Sequence, residues 1–316
     1  MKKMLLFALA LCLCFSSLCF PAAAEKKLSV VATTFPIYDW TRRVIGDTDA
    51  VDLTLLLDSG VDLHSFNPTA ADIMKIATCD LFIYVGGESD AWVEDATRQV
   101  INADMEAVSL MEKLGDGVKE EEMIEGMEDD GMEDEEEAEG DEHIWRSLRN
   151  AALFTQTICD ALSQKDPAHA EAYQANADAY IAALRALDAR YADMVESAVF
   201  KTLVFGDRFP FRYLVDDYGL SYYAAFKGCS AETEASFKTV VFLAEKTDEL
   251  GLPAVMTIEG TNHRIAETIV QSTKTRDQKI LAVDSMQGIT SGDVKNGADY
   301  LDIMEKNLAV FQEALN

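Results

Sequence analysis

The stretch from Asp166 to Ser197 constrains this chain most. It is rich in Ala, Leu, Tyr and charge, and its apolar residues recur three and four apart, the spacing of one face of an α-helix. At 1.5 Å per residue such a helix is about 45 Å long. Pro167 suits its first turn, where the missing N–H is not needed. A helix of this length between two blocks of shorter elements reads as a rigid connector.

The flanking blocks follow the same logic. On the amino-terminal side LSVVATTF reads as a buried strand, Pro36 to Ile45 as a helix, VDLTLLL as a strand, Ala70 to Ala77 as a helix and LFIYVGG as a strand. On the carboxyl side KTLVFGD reads as a strand ending at Asp207, Phe211 to Asp217 as a helix and LSYYAAF as a strand. Glu234 to Leu250 follows as a helix, AVMTIEG as a strand, His263 to Ser272 as a helix, KILAVD as a strand ending at Asp284, and Asp299 to Leu315 as the closing helix. Strands alternating with helices predict parallel sheets. The fold class is α/β, two similar α/β lobes bridged by one long rigid α-helix, with the lobes at 25–165 and 199–316 and the connector at 166–198.

Lys2 and Lys3, an apolar run from Met4 to Phe20 and the small residues Ala22 to Ala24 read as a secretory signal peptide over 1–24. Cys19 offers lipid attachment as the alternative, but Leu18 stands where such a site wants a small residue. The product is expected to be exported, periplasmic or at the cell surface. Without the signal peptide three cysteines remain. Cys79 and Cys159 lie in apolar surroundings and read as packing residues, whereas Cys229, in the polar KGCSAETE, is less easily dismissed. The net charge of -29 argues against nucleic acid, whose binding needs clustered Lys and Arg, and is compatible with cations. Carboxylates crowd the segment from Glu120 to Glu142, and a disordered acidic loop is expected over 116–142.

Four polar residues stand where chemistry is expected. His64, in GVDLHSFNP, follows the second strand and so lies at the carboxyl edge of a sheet, where open α/β folds bind ligands. Asp207 and Asp284 end later strands, and His143 stands where the acidic segment re-enters the fold. If the two sheets face one another, these four converge in one cleft, and imidazole nitrogens with carboxylate oxygens suit Zn2+ or Mn2+. Each has a plainer reading alone: a loop histidine is usually solvated, and strand-end aspartates cap helices or form turns. His169 and His263, at helix starts, are read in that plainer way.

VATTFPIYDWTRRVIGD, GVDLHSFNPTAADI, HIWRSLRNA and the terminal GADYLDIMEKNLAVFQEAL resemble the cluster A-I substrate-binding proteins of bacterial metal ABC transporters. The resemblance covers nearly the whole mature chain. It implies two lobes bridged by a single helix with one metal ion between them. His64 matches the first family histidine, His143 the second, and Asp284, in VDSMQG, the fourth position. The third position, His or Glu in most members, falls in FGDRFPFRYLVDDYGL. Counting from the strand gives Asp207; counting back from Tyr213 gives Arg208, whose guanidinium cannot ligate. Asp207 is the expected third ligand, with Glu232, Glu234, Glu259 or water as substitutes.

The implied function is capture of Zn2+, with Mn2+ as the alternative, and its delivery by a monomeric, non-enzymatic protein to a permease driven by a cytoplasmic ATPase. Affinity order favours zinc at such a site, and uptake should weaken as falling pH lets protons compete for imidazole lone pairs. The acidic loop stands where zinc-binding members often carry a histidine-rich one; metal scavenging and a plain solvated lid are both open for it. A secreted metal-dependent hydrolase with Glu259 as general base is a reading from another class, although no HExxH arrangement supports it. Surface adhesion, known for some members, is a third.

Overall fold

The structure, a computed structural model, describes residues 26–127, 140–230, 234–260 and 262–316. The expected signal peptide, the middle of the acidic segment at 128–139, and Glu232 lie outside them.

Two four-stranded sheets, each wholly parallel, form the frame. The first contains β1 (Leu28–Ala32), β2 (Val51–Leu55), β3 (Leu81–Tyr84) and β4 (Glu106–Ser109) in the order β2-β1-β3-β4. The second contains β5 (Thr202–Phe209), β6 (Ser221–Lys227), β7 (Ala254–Ile258) and β8 (Lys279–Val283) in the matching order β6-β5-β7-β8. Parallel neighbours cannot be joined by tight hairpins, so helices cross the faces and cover both. That is why the inner strands are apolar runs rather than alternations: Val30, Val31 and Ala32 are all buried, as are Val255, Met256 and Ile258.

The helices are α1 (Phe35–Ile45), α2 (Ala70–Thr78), α3 (Trp92–Thr97), α4 (Leu110–Leu114), α5 (Leu148–Lys165), α6 (Ala170–Ser197), α7 (Arg212–Tyr218), α8 (Phe237–Leu250), α9 (Arg264–Ser272), α10 (Ser291–Lys295) and α11 (Tyr300–Ala314). The connector is α6. A 3-10 turn at Pro167–His169 precedes it, and Asp166 Oδ2 accepts from His169 Nδ1 and Tyr173 Oη, both at 2.7 Å. Tyr173, Ala177, Tyr180, Leu184, Leu187, Tyr191 and Met194 form its buried stripe. The stripe packs on α1 and α5 of the first lobe and on α7 and α11 of the second. The sequence reading does not separate α5 as an element of its own. It lies along α6, so the connector is one limb of a helical hairpin rather than an isolated rod.

One continuous core spans both sheets, running from Val31, Phe82 and Trp40 through Tyr191 and Tyr300 to Phe205, Phe211 and Phe311. A smaller core under the far face of the second sheet gathers Val204, Val255, Leu243 and Ile269. Strand β5 feeds both, with Phe205 on one side and Val204 on the other, as period-two alternation requires.

Two local expectations are revised. Strand β5 does not end at Asp207 but continues to Phe209, and its pairing with β6 shifts register between Phe205 and Arg208. Asp207 sits in that irregularity. The acidic segment is not structureless at its ends: Glu120 and Gly140 form an antiparallel bridge, and Asp141 N donates to Lys119 O at 2.7 Å.

Candidate metal centre

Asp62 opens the site. Its carboxylate accepts the His64 N–H at 3.1 Å and caps the 3-10 turn Leu63–Ser65, just beyond β2. This turn points the His64 ring into the gap between the lobes. The second imidazole arrives from the returning acidic segment. Asp141 Oδ1 accepts from His143 N at 2.7 Å and from His143 Nδ1 at 2.9 Å, and Ser147 then caps α5. His143 is fully buried and His64 nearly so.

The two rings meet through their Nε2 atoms, 3.2 Å apart. Each Nδ1 has a partner behind it: Asp141 for His143, and for His64 Ser89 Oγ at 2.8 Å with Glu142 Oε2 at 3.4 Å. Such support places the hydrogen on Nδ1 and turns the Nε2 lone pair outward, as in metal-binding histidines. Two nitrogens sharing a tetrahedral ion with bonds of about 2.0–2.1 Å are about 3.3 Å apart, so the pair is already spaced for one ion.

Cys229 completes the group. Among the described residues, the His, Cys, Asp and Glu donor atoms that lie within 4.8 Å of one another belong to His64, His143 and Cys229. Gly228 carries the thiol there: a Cβ on it would stand 3.0 Å from both His143 Cε1 and Phe209 O, so glycine lets the β6 loop pass this close without displacing either neighbour. Glu121 Oε1 accepts the Cys229 N–H at 3.1 Å. Burial, with the charges of Glu121 and Glu142 beside it, pushes the Cys229 thiol far above its ordinary range, so it stays protonated until a cation displaces the proton. A cavity of about 490 Å³, lined by His64, Trp92, Glu121, Glu142 and Cys229 among others, leads to the group from the first lobe.

Neither expected aspartate is brought into this group. Asp207 Oδ2 accepts from Thr257 Oγ1 at 2.7 Å and Ile258 N at 3.3 Å, which ties β5 to β7. It lines a separate cavity of about 580 Å³ with Arg208, His263 and Arg264. The residue before it has no room for a ligand, since a Cβ on Gly206 would lie 2.6 Å from Ala266 Cα in α9. Asp284 Oδ1 accepts from Met286 N at 2.7 Å, and its carbonyl accepts from Arg146 Nη1 and Asn307 Nδ2, both at 2.9 Å. Arg146 is buried, and burial lowers its pKa to about 10. Of the substitutes, Glu259 is held by Ser285 through N and Oγ, both at 2.5 Å, and its pKa is raised by burial and the charge of Asp284. Glu234 is exposed.

Two similar α/β lobes on a single long helix, with opposed imidazoles in the gap, define a two-lobed binding-protein fold. The chain belongs to the family described as zinc-uptake complex component A, periplasmic, whose model matches residues 30–314. It is 32% identical over 319 residues to the zinc-binding lipoprotein AdcA of Streptococcus pneumoniae serotype 4, covering 99% of this chain and 61% of that protein. The chain thus spans about three fifths of the length of that relative. It is 27% identical over 334 residues to the high-affinity zinc uptake system protein ZnuA of Bacillus subtilis, covering 98% of this chain and 97% of that one. Among solved structures, the Zn(II)-bound ZnuA-like domain of Streptococcus pneumoniae AdcA superposes with a TM-score of 0.71 at 27% identity, over 92% of this chain and 99% of that one.

Proposed function

We propose that this protein captures Zn2+ outside the cytoplasm in a site built from His64, His143 and Cys229, and passes it to the permease of a metal ABC transporter. The observation that carries the reading is the pair of Nε2 atoms 3.2 Å apart, each with its Nδ1 supported from behind. The thiolate takes the place foreseen for a carboxylate. It softens the donor set and moves the preference further from Mn2+, a harder, oxygen-seeking ion. Asp207 and Asp284, on this reading, serve the framework rather than the ion.

The relatives, a zinc-binding lipoprotein and a zinc uptake protein, support both cargo and export. Among the described residues no helix is long and apolar enough to cross a membrane. The family is a component of an uptake complex, which favours capture over the hydrolase reading.

Titration of the purified protein with Zn2+ and Mn2+ against a chromophoric chelator tests the assignment. One tight Zn2+ per chain is expected, weakened by about 100-fold or more in His64→Ala and Cys229→Ser, since truncating even supporting groups costs about 10–100-fold. Asp207→Ala should bind as the parent does. Unchanged affinity in Cys229→Ser would remove the thiolate from the site.

A further inference from the structure

Asp62, whose carboxylate starts the turn carrying His64, is itself held from the other lobe. Its Oδ1 accepts the His64 N–H at 3.1 Å and lies 3.9 Å from His64 Nε2. Its Oδ2 accepts from Nη2 of Arg208, a residue of β5 in the second lobe. One carboxylate thus joins the backbone of the His64 turn on one side to a cation across the gap on the other.

Arg208 stands where β5 resumes its pairing with β6, opposite Phe226, after the register shift that follows Phe205. Such irregularities re-aim a side chain, and this one sends the guanidinium to a cavity that Asp62 and Ser65 line from the first lobe. The Arg208 and Asp62 side chains are only 22% and 19% exposed, so water and salt screen the pair less than one on the open surface. Arg208 Nη2 also donates to Gln287 Oε1 at 3.3 Å, which steadies the guanidinium from its own lobe.

Two effects of this guanidinium on a cation site oppose one another. A fixed positive charge near the imidazoles repels an incoming Zn2+, but Asp62 neutralises it and cuts the repulsion to that of an ion pair. With Oδ2 occupied, the Asp62 carboxylate cannot swing, and Oδ1 stays on the N–H of the turn that sets the ring's direction. Groups that orient a metal-binding histidine are worth about 10–100-fold in affinity, so orientation outweighs what repulsion remains.

We infer that Arg208 is a positioning residue for zinc capture: it reaches across the gap to Asp62 and thereby fixes the turn that aims His64. This rests on the His64, His143 and Cys229 reading above. A guanidinium has no lone pair for a metal, so Arg208 acts wholly through Asp62, and the second lobe sets the direction of a histidine carried by the first.

Zinc affinity by chelator competition in the parent, Arg208→Ala, Arg208→Lys, Asp62→Ala, the Arg208→Ala/Asp62→Ala double variant and His64→Ala tests this. Arg208→Ala is expected to bind about 10–100-fold more weakly, against the tightening that loss of a nearby positive charge alone would give. Arg208→Lys, which keeps a cation for Asp62, should recover part of the loss. The double variant should bind no more weakly than Asp62→Ala, since the two residues act as one unit. Unchanged or tighter binding in Arg208→Ala overturns the inference, and a lowered urea midpoint beside it would mark a tie between lobes and nothing more. No recovery in Arg208→Lys, or losses that add in full in the double variant, overturn it too. In those cases a weakened His64→Ala leaves the site reading standing. A His64→Ala protein that binds zinc as the parent does removes the site and the inference with it.

Discussion

A single oxygen, Asp141 Oδ1, holds both the main-chain N–H and the Nδ1 of His143, so the ring's direction and its tautomer depend on one side chain. Asp141→Ala is expected to leave the fold intact and to weaken zinc binding by about 10–100-fold, read by isothermal titration. Asp90, buried nearby, is a second residue with a measurable signature. Burial raises its carboxyl from 3.8 to about 7, assisted by the charge of Glu142 and opposed by the Gly86 N–H at 2.9 Å. A raised acid binds its proton more tightly in the folded than in the unfolded chain. Its contribution is thus full below the unfolded value of 3.8 and is lost as pH rises through about 7. Urea midpoints of the parent and Asp90→Asn, taken at about pH 5 and about pH 8, should show the parent losing on the order of a few kcal/mol relative to the variant across that interval. A constant difference would place the Asp90 carboxyl in its ordinary range. At this scale the two histidines are legible in the sequence because each lies in a motif with its own turn. The nearness of Cys229 to them is not, because it comes from an approach across the gap that no local spacing encodes.

Secondary structure is legible wherever a period has room to repeat. The strands with long apolar runs and the helices of nine residues or more outside α5 fall where hydrophobic spacing predicts them. Strand β4 is four residues long and helix α4 five, too short for either period to show. The end of β5 is misread for a different reason: GDRF looks like the turn that closes a strand, but its glycine serves helix packing. Gly206 lets the backbone of α9 lie against β5. Gly206→Ala is expected to force these two elements apart and cost about 1–3 kcal/mol, seen as a lower urea midpoint with an unchanged slope. Zinc stoichiometry should stay at one per chain, since the displaced contact lies on the far face from the imidazoles.

Taken whole, the molecule has two sheets but only one main core. Trp145, two residues beyond the second imidazole, donates from Nε1 to Ser285 O at 3.2 Å, and its own carbonyl accepts from Tyr300 Oη at 2.6 Å. Asp58 in the first lobe receives Ser291 N and Oγ from the second at 2.5 and 2.6 Å. Calorimetry of the metal-free protein should therefore give one transition whose calorimetric and van't Hoff enthalpies agree, rather than a separate melt for each lobe. The lobes are legible from the doubled pattern of strands and helices; their fusion through α5, α6 and Tyr300 is not, since a buried stripe does not name what it packs on. This fusion bears on how cargo leaves. On the proposed function, jaws welded at the root predict that zinc departs by substitution, with an incoming donor taking one coordination position at a time while the protein gives up another. The rate at which zinc is surrendered should then climb with the concentration of the acceptor rather than level off at the tempo of an opening motion.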